Sequence, residues 1–176
     1  MGWSSIQNNH LTTIIMNEAH LHLAINHFPI ILPIVGLILL IAGGVLKSSI
    51  LKRTAYMFYI LAALLTGAAY SSGEAAEHFI EDLPWVEEKY MELHEEAAET
   101  FSWIMYVLGG FSLVGIWAHL KRKTFGRWIS YLTIILTITA LYYAKQTGTT
   151  GGEIMHAEIR SGSSTHIMEN ENYEAN

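Results

Sequence analysis

Four stretches of this chain run apolar without interruption for 17 to 20 residues each: Phe28–Leu46, Thr54–Ser72, Phe101–Leu120 and Trp128–Ala144. They hold no Asp, Glu, Lys, Arg or His except His119 at the end of the third. At ~1.5 Å of rise per residue each helix would reach roughly 25–30 Å, about one hydrocarbon core. Helices buried in a soluble bundle would each keep a polar face, and these show none. The pattern predicts an all-α protein with four transmembrane helices. Composition agrees: 15% of residues are charged and 51% hydrophobic, against about 25% charged in a soluble domain. Residues 1–19 carry no basic segment ahead of a short apolar core. The first spanning helix is therefore expected to direct insertion and to stay in the protein, with no signal peptide removed.

Charge then sets an orientation. The loop after the first segment holds Lys47, Lys52 and Arg53, and the loop after the third holds Lys121, Arg122, Lys123 and Arg127. These are seven of the ten basic residues, while all sixteen acidic residues fall on the other side. By the positive-inside rule both basic loops are cytoplasmic, which puts the termini and the acidic loop 73–100 on the outer, periplasmic side of an inner membrane. Eight of the nine histidines follow the acids outward or to that boundary; only His119 does not. The net charge of −6 is thus an outer-face property. It offers nothing to nucleic acid and would attract cations or a basic protein.

Short cytoplasmic loops favour antiparallel neighbours, so the expected architecture is an up-down-up-down four-helix bundle occupying residues 1–160. Gly36, Gly43, Gly44, Gly67, Gly109, Gly110 and Gly115 would let helix backbones approach closely in lipid. Trp103, Tyr106, Trp117, Trp128, Tyr131, Tyr142 and Tyr143 suit interfacial belts. The loop 73–100 reads as helical on both sides of Pro84, so the second and third helices are expected to continue beyond the bilayer. The polar tail 161–176 is expected to be disordered.

Four motifs converge on the outer face. "HLHLAINHFPI" supplies His20, His22 and His27; "GEAAEH" supplies Glu74, Glu77 and His78; "LHEEAAE" supplies His94, Glu95 and Glu96; "GGEIMHAEIR" supplies Glu153, His156, Glu158 and Arg160. Pro29 cannot donate to the carbonyl of Ile25 and disfavours a helical Phe28, so the helix either begins near Pro29 or is kinked there. Glu153 and His156 stand at i, i+3, a spacing that di-iron bundles use twice. Only one clear copy occurs here, so that signal is weak. No cysteine is present, which excludes thiolate metal sites and covalent c-type haem. Neutral imidazole remains a ligand for zinc, copper, iron and haem.

These strings resemble a bacterial family of uncharacterised four-helix inner-membrane proteins, over residues 19–160. The family pattern reads H-L-H-L-x-x-N-H-x-P, then T/S-G-E-x-A-E-E, then H-E-x-A, then G-G-x-I-x-H-x-E-I-R. The matching positions are His20, His22, Asn26, His27, Pro29, Gly73, Glu74, Glu77, Pro84, His94, Glu95, Gly151, Gly152, His156, Glu158 and Arg160. His78 falls outside the pattern, and Met155 stands where a basic residue is more usual. Relatives of the wider superfamily occur joined to c-type cytochrome modules. The resemblance implies electron transfer on the outer face.

The leading expectation is a b-type cytochrome-like electron-transfer subunit binding haem b through histidines drawn from His22, His27, His94 and His156, with His27 and His94 favoured. Arg160 is a candidate propionate partner, and Glu95 or Glu77 could orient a ligating ring. One alternative is a non-haem iron, copper or zinc site built from His20, His22, His27, His94, His156, Glu74, Glu77, Glu95 and Glu153. Another is a structural anchor subunit of a larger membrane complex. Expected partners are the lipid bilayer, a periplasmic c-type cytochrome and other respiratory subunits, and no nucleic acid. A reporter fused to the C-terminus should be active only on the outer side; cytoplasmic activity would overturn the orientation.

Overall fold

A computed structural model of the chain describes residues 20–81, 83–121 and 123–160. The expectations for residues 1–19 and for the tail 161–176 lie outside them. Among the described residues the protein is all-helical: α1 (Phe28–Val45), α2 (Ser49–Ile80), α3 (Glu88–Leu120), α4 (Gly126–Met155) and a 3-10 turn at Ala157–Ile159. A helical segment over 20–25 leads into α1 through a turn at Asn26 and His27. That turn reconciles Pro29 with the helix. Asn26 N–H closes the preceding segment on His22 O at 2.9 Å. Pro29 then falls in the first turn of α1, where a missing donor costs nothing.

Among the described residues three helices are long and apolar enough to cross a membrane: His20–Val45, Ser49–His78 and Glu88–Leu120. α4 does not reach that hydropathy, although the sequence suggested four such segments. Its threonines, tyrosines and flanking Arg127 and Lys145 dilute it. The hydroxyls of Thr133, Thr137 and Thr139 donate to the carbonyls of Ile129, Thr133 and Ile135 at 2.7–3.1 Å, so their polarity is satisfied within the helix.

Three helices outrun their apolar cores. α2 has 32 residues, α3 33 and α4 30, so each measures roughly 45–50 Å at the α-helical rise. α4 continues through "KQTGTTGGEIM", a stretch whose glycines and threonines favour a loop. Tertiary contact overrides that preference. Thr147 lies across α3 with its hydroxyl 3.0 Å from Ala97 O, and Thr147, Thr149 and Thr150 each donate back one helical turn.

Each helix packs on the next in sequence, and α1 also touches α4. Along the α1–α2 contact Gly43 faces Lys52, Gly36 faces Tyr59 and Gly73 faces His22. Along α2–α3, Gly115 faces Tyr56, Gly109 faces Ala63 and Gly67 faces Tyr106. The interior is built of small and hydroxylated groups around a few large side chains. Tyr56, Tyr59, Leu40, Met105 and Leu108 are fully buried, as are Thr133, Thr137 and Ser112. Bulky aliphatics face outward instead, among them Ile38, Ile41, Leu61, Leu64, Leu113, Ile135 and Ile138. A soluble bundle has the reverse arrangement.

Tyr56 also anchors the end of the bundle near the basic loops. Its hydroxyl lies 3.0 Å from Ser130 Oγ, which is 3.3 Å from His119 Nε2. A Cβ at Gly115 would stand 2.5 Å from the Tyr56 ring, whereas one at Gly110 would meet nothing within 4 Å. Gly115→Ala should therefore destabilise the detergent-solubilised protein by about 1–3 kcal/mol. Gly110→Ala should leave stability equal or higher, by up to ~1 kcal/mol. Thermal unfolding of the two variants side by side checks this, and equal melting would refute the ring-on-glycine packing.

Candidate functional site

At the end of the bundle opposite the loops 46–48 and 121–125 the helices part around a cavity of about 470 Å³. Its walls are mostly apolar: Pro29 and Ile30 from α1, Ile80 from α2, Met91 and Phe101 from α3, Ile154 and Met155 from α4. Six sequence-predicted site residues line it: His22, His27, Glu74, Glu77, His94 and Glu95. His20, Glu153, His156 and Arg160 are not among its lining residues.

Two of the histidines are held in the same way. The Nδ1–H of His22 donates to Ala69 O on α2 at 2.9 Å, with Ser72 Oγ 3.4 Å away. The Nδ1–H of His94 donates to Thr147 O on α4 at 3.1 Å, with Thr150 Oγ1 at 3.2 Å. A carbonyl has no proton to give, so Nδ1 carries the hydrogen in both rings. Nε2 of the neutral ring then keeps its lone pair. No described residue hydrogen-bonds Nε2 of either ring.

A glycine makes each contact fit. It lies four residues after the accepting carbonyl, one turn along the same helix face. A Cβ on Gly73 would stand 3.1 Å from Cε1 of His22, and one on Gly151 would stand 2.9 Å from Cε1 of His94. Each imidazole thus rests on a bare Cα, and a methyl group there would press on the ring. One unit belongs to the α1–α2 pair and the other to the α3–α4 pair. Sequence reasoning left Ser72, Thr147 and Thr150 without a role and gave Gly73 and Gly151 none beyond a family pattern. The available signal was an internal echo, "SSGE" at 71–74 against "TTGGE" at 149–153.

The other candidates lie elsewhere or are held less firmly. His27 is exposed at the turn before α1. His156 is exposed, with Nδ1 2.8 Å from Glu158 Oε1. The Glu158 carboxyl sits below its ordinary range because its own backbone N–H, and then the His156 ring, donates to it. The Arg160 guanidinium is committed to structure. It donates to Glu153 O at 2.8 Å and Ile154 O at 3.2 Å, pairs with Glu87, and stacks 4.1 Å above the Tyr90 ring. It straps the end of α4 to the start of α3 rather than facing the cavity, as a propionate partner would.

Among the described residues no three His, Asp or Glu side chains stand close enough together to hold a metal ion. The nine-residue His/Glu set expected for a non-haem centre is therefore not assembled as one. The cavity gathers part of it, while Glu153 and His156 sit on other surfaces. Asn26 also lines the cavity, and its Oδ1 is buried with no hydrogen-bond partner among the described residues.

No family model, curated protein or solved structure matches this chain.

The tautomer assignment is measurable without any ligand. In protein labelled with ¹⁵N at histidine, His22 and His94 should both show a protonated Nδ1 and an unprotonated Nε2. Assignment uses the His22→Gln and His94→Gln variants. A protonated Nε2 in either ring would contradict the carbonyl bonds.

Proposed function

We propose that the protein is a membrane-embedded b-type cytochrome-like electron-transfer subunit, in which His22 and His94 would hold one haem through its iron. The observation that carries this reading is the paired bracing of those rings. Each commits Nδ1–H to a main-chain carbonyl of its partner helix, leaves Nε2 its lone pair, and belongs to a residue lining one mostly apolar cavity. A hydrogen bond on the far nitrogen fixes ring orientation and raises ligand basicity.

The residues present fit such a group. Haem would bring ring nitrogens of its own, so two protein ligands would suffice where a bare metal ion would need more. A cavity of about 470 Å³ falls within the ordinary range for cofactor pockets, ~300–1,000 Å³. Glycine at 73 and 151 leaves the rings their place. When bound, the haem iron supplies one-electron redox chemistry. The protein's part is to hold two imidazoles, exclude water with apolar walls and shape the field around them.

The same proposal includes the membrane arrangement. All four helices cross an inner membrane up-down-up-down, with both termini and the cavity periplasmic. Supporting this are the reversed order of contacts along neighbouring helices, the aliphatic exterior and the basic residues gathered at 46–53 and 121–127. The acidic outer face suits a basic electron-transfer partner, of which a periplasmic c-type cytochrome is one kind.

The test is an absorption spectrum of the purified protein, oxidised and dithionite-reduced. Wild type should show a Soret band and, on reduction, a sharp α band. His22→Ala and His94→Ala should each lose that six-coordinate spectrum, while His27→Ala retains it. Gly151→Ala should lower haem occupancy at least several-fold by displacing the His94 ring. A colourless wild-type protein without stoichiometric iron would sink the haem proposal.

A further inference from the structure

Carboxylates and imidazoles line the cavity, with the hydroxyl side chains Thr66, Tyr70, Ser102 and Thr147 beside them. Glu74, Glu77 and Glu95 contribute carboxylates, and His22 and His94 each keep an imidazole lone pair. Asn26 adds a buried amide oxygen with no described partner. Among the described residues no lysine or arginine lines the cavity. The nearest guanidinium held by the fold, that of Arg160, is taken up by Glu87, Tyr90 and two carbonyls. Three carboxylates therefore line the space, and no lysine or arginine among the described residues lines it to offset them.

Such a wall discriminates between oxidation states. Reduction of a bound redox group by one electron adds one negative charge to the cavity, and the neighbouring carboxylates oppose that addition. We propose that Glu77, with Glu74 and Glu95, holds the redox centre of this cavity at a low midpoint potential. This rests on the haem reading above and adds a role for residues that reading leaves unused. Glu77 carries most of the effect. It is half-buried, whereas Glu74 and Glu95 are exposed and more fully screened by water and salt. Its position also separates it from the ligands, since it lies one turn beyond Gly73 and touches neither histidine by any hydrogen bond. A unit charge roughly 10 Å away in a medium of effective dielectric ~20 changes a one-electron equilibrium by about tenfold. That corresponds to ~59 mV for a one-electron couple.

The experiment is a spectroelectrochemical titration of the haem-loaded protein at fixed pH and ionic strength. Glu77→Gln should raise the midpoint potential by about the tenfold equivalent given above, with the α band unchanged. Glu74→Gln and Glu95→Gln should each raise it less. Glu92→Gln, on an exposed part of α3 away from the cavity, serves as the control for net charge and should leave the potential where it was. An unmoved or lowered potential in Glu77→Gln, or an equal rise in Glu92→Gln, overturns the assignment. Because the variants are read one at a time, a poorly folding one does not decide the outcome; Glu74→Gln then supplies the sign. A coloured wild type whose potential ignores these carboxylates refutes this inference alone. A colourless wild type refutes the haem reading first.

Discussion

Where a helix bundle presents aliphatic side chains to its surroundings, the hydrophobic effect cannot distinguish a neighbouring helix from lipid. Association must come from backbones that approach closely and from polar groups that find partners inside. Glycine supplies the first condition here. A tyrosine ring lies on Gly36 and another on Gly115, a lysine stem on Gly43, and an imidazole on Gly73 and on Gly151. The second condition is met by serine and threonine hydroxyls that return to carbonyls of their own helices, at Thr66, Ser112, Ser130, Thr133 and Thr137. The large aromatic groups are thus locked between helices. The small ones ask nothing of the next helix.

The histidine braces use both devices at once. A ring that rests on a bare Cα can reach the carbonyl one turn back, and that carbonyl decides which nitrogen keeps the proton. Apolar walls around the two rings then raise the weight of every remaining charge, since fewer water dipoles screen it. Recognition and redox tuning would therefore come from different elements. The glycine turns of α2 and α4 fix the rings, and the acidic rims of α2 and α3 shape the field.

Much of this was legible in the sequence, and the exceptions have physical causes. The apolar segments announced the helices, and the loop around Pro84 announced that α2 and α3 run past them. α4 was harder. Its last eleven residues have loop-like composition and are helical because Thr147 and Gly151 are held against α3. Its threonines also leave it less apolar than its three companions. The convergence of His22, His27, His94 and three glutamates on one cavity was readable from motif order. The standing of His22 was not. Sequence position favoured His27, the histidine nearest the apolar run, but bracing depends on which ring meets a carbonyl of another helix. Arg160 likewise read as a candidate propionate partner until Glu87 and Tyr90, seventy or more residues earlier, proved to be its partners.

Each helix pair grips its own histidine: His22 is fastened to α2 and His94 to α4. α1 meets α4 over a smaller area than the sequential pairs share. The gap between the two rings is therefore a caliper setting. The α2–α3 seam joins the two hairpins as closely as each hairpin is joined within itself, so that seam sets the span between the jaws while each brace sets the aim of its own ring.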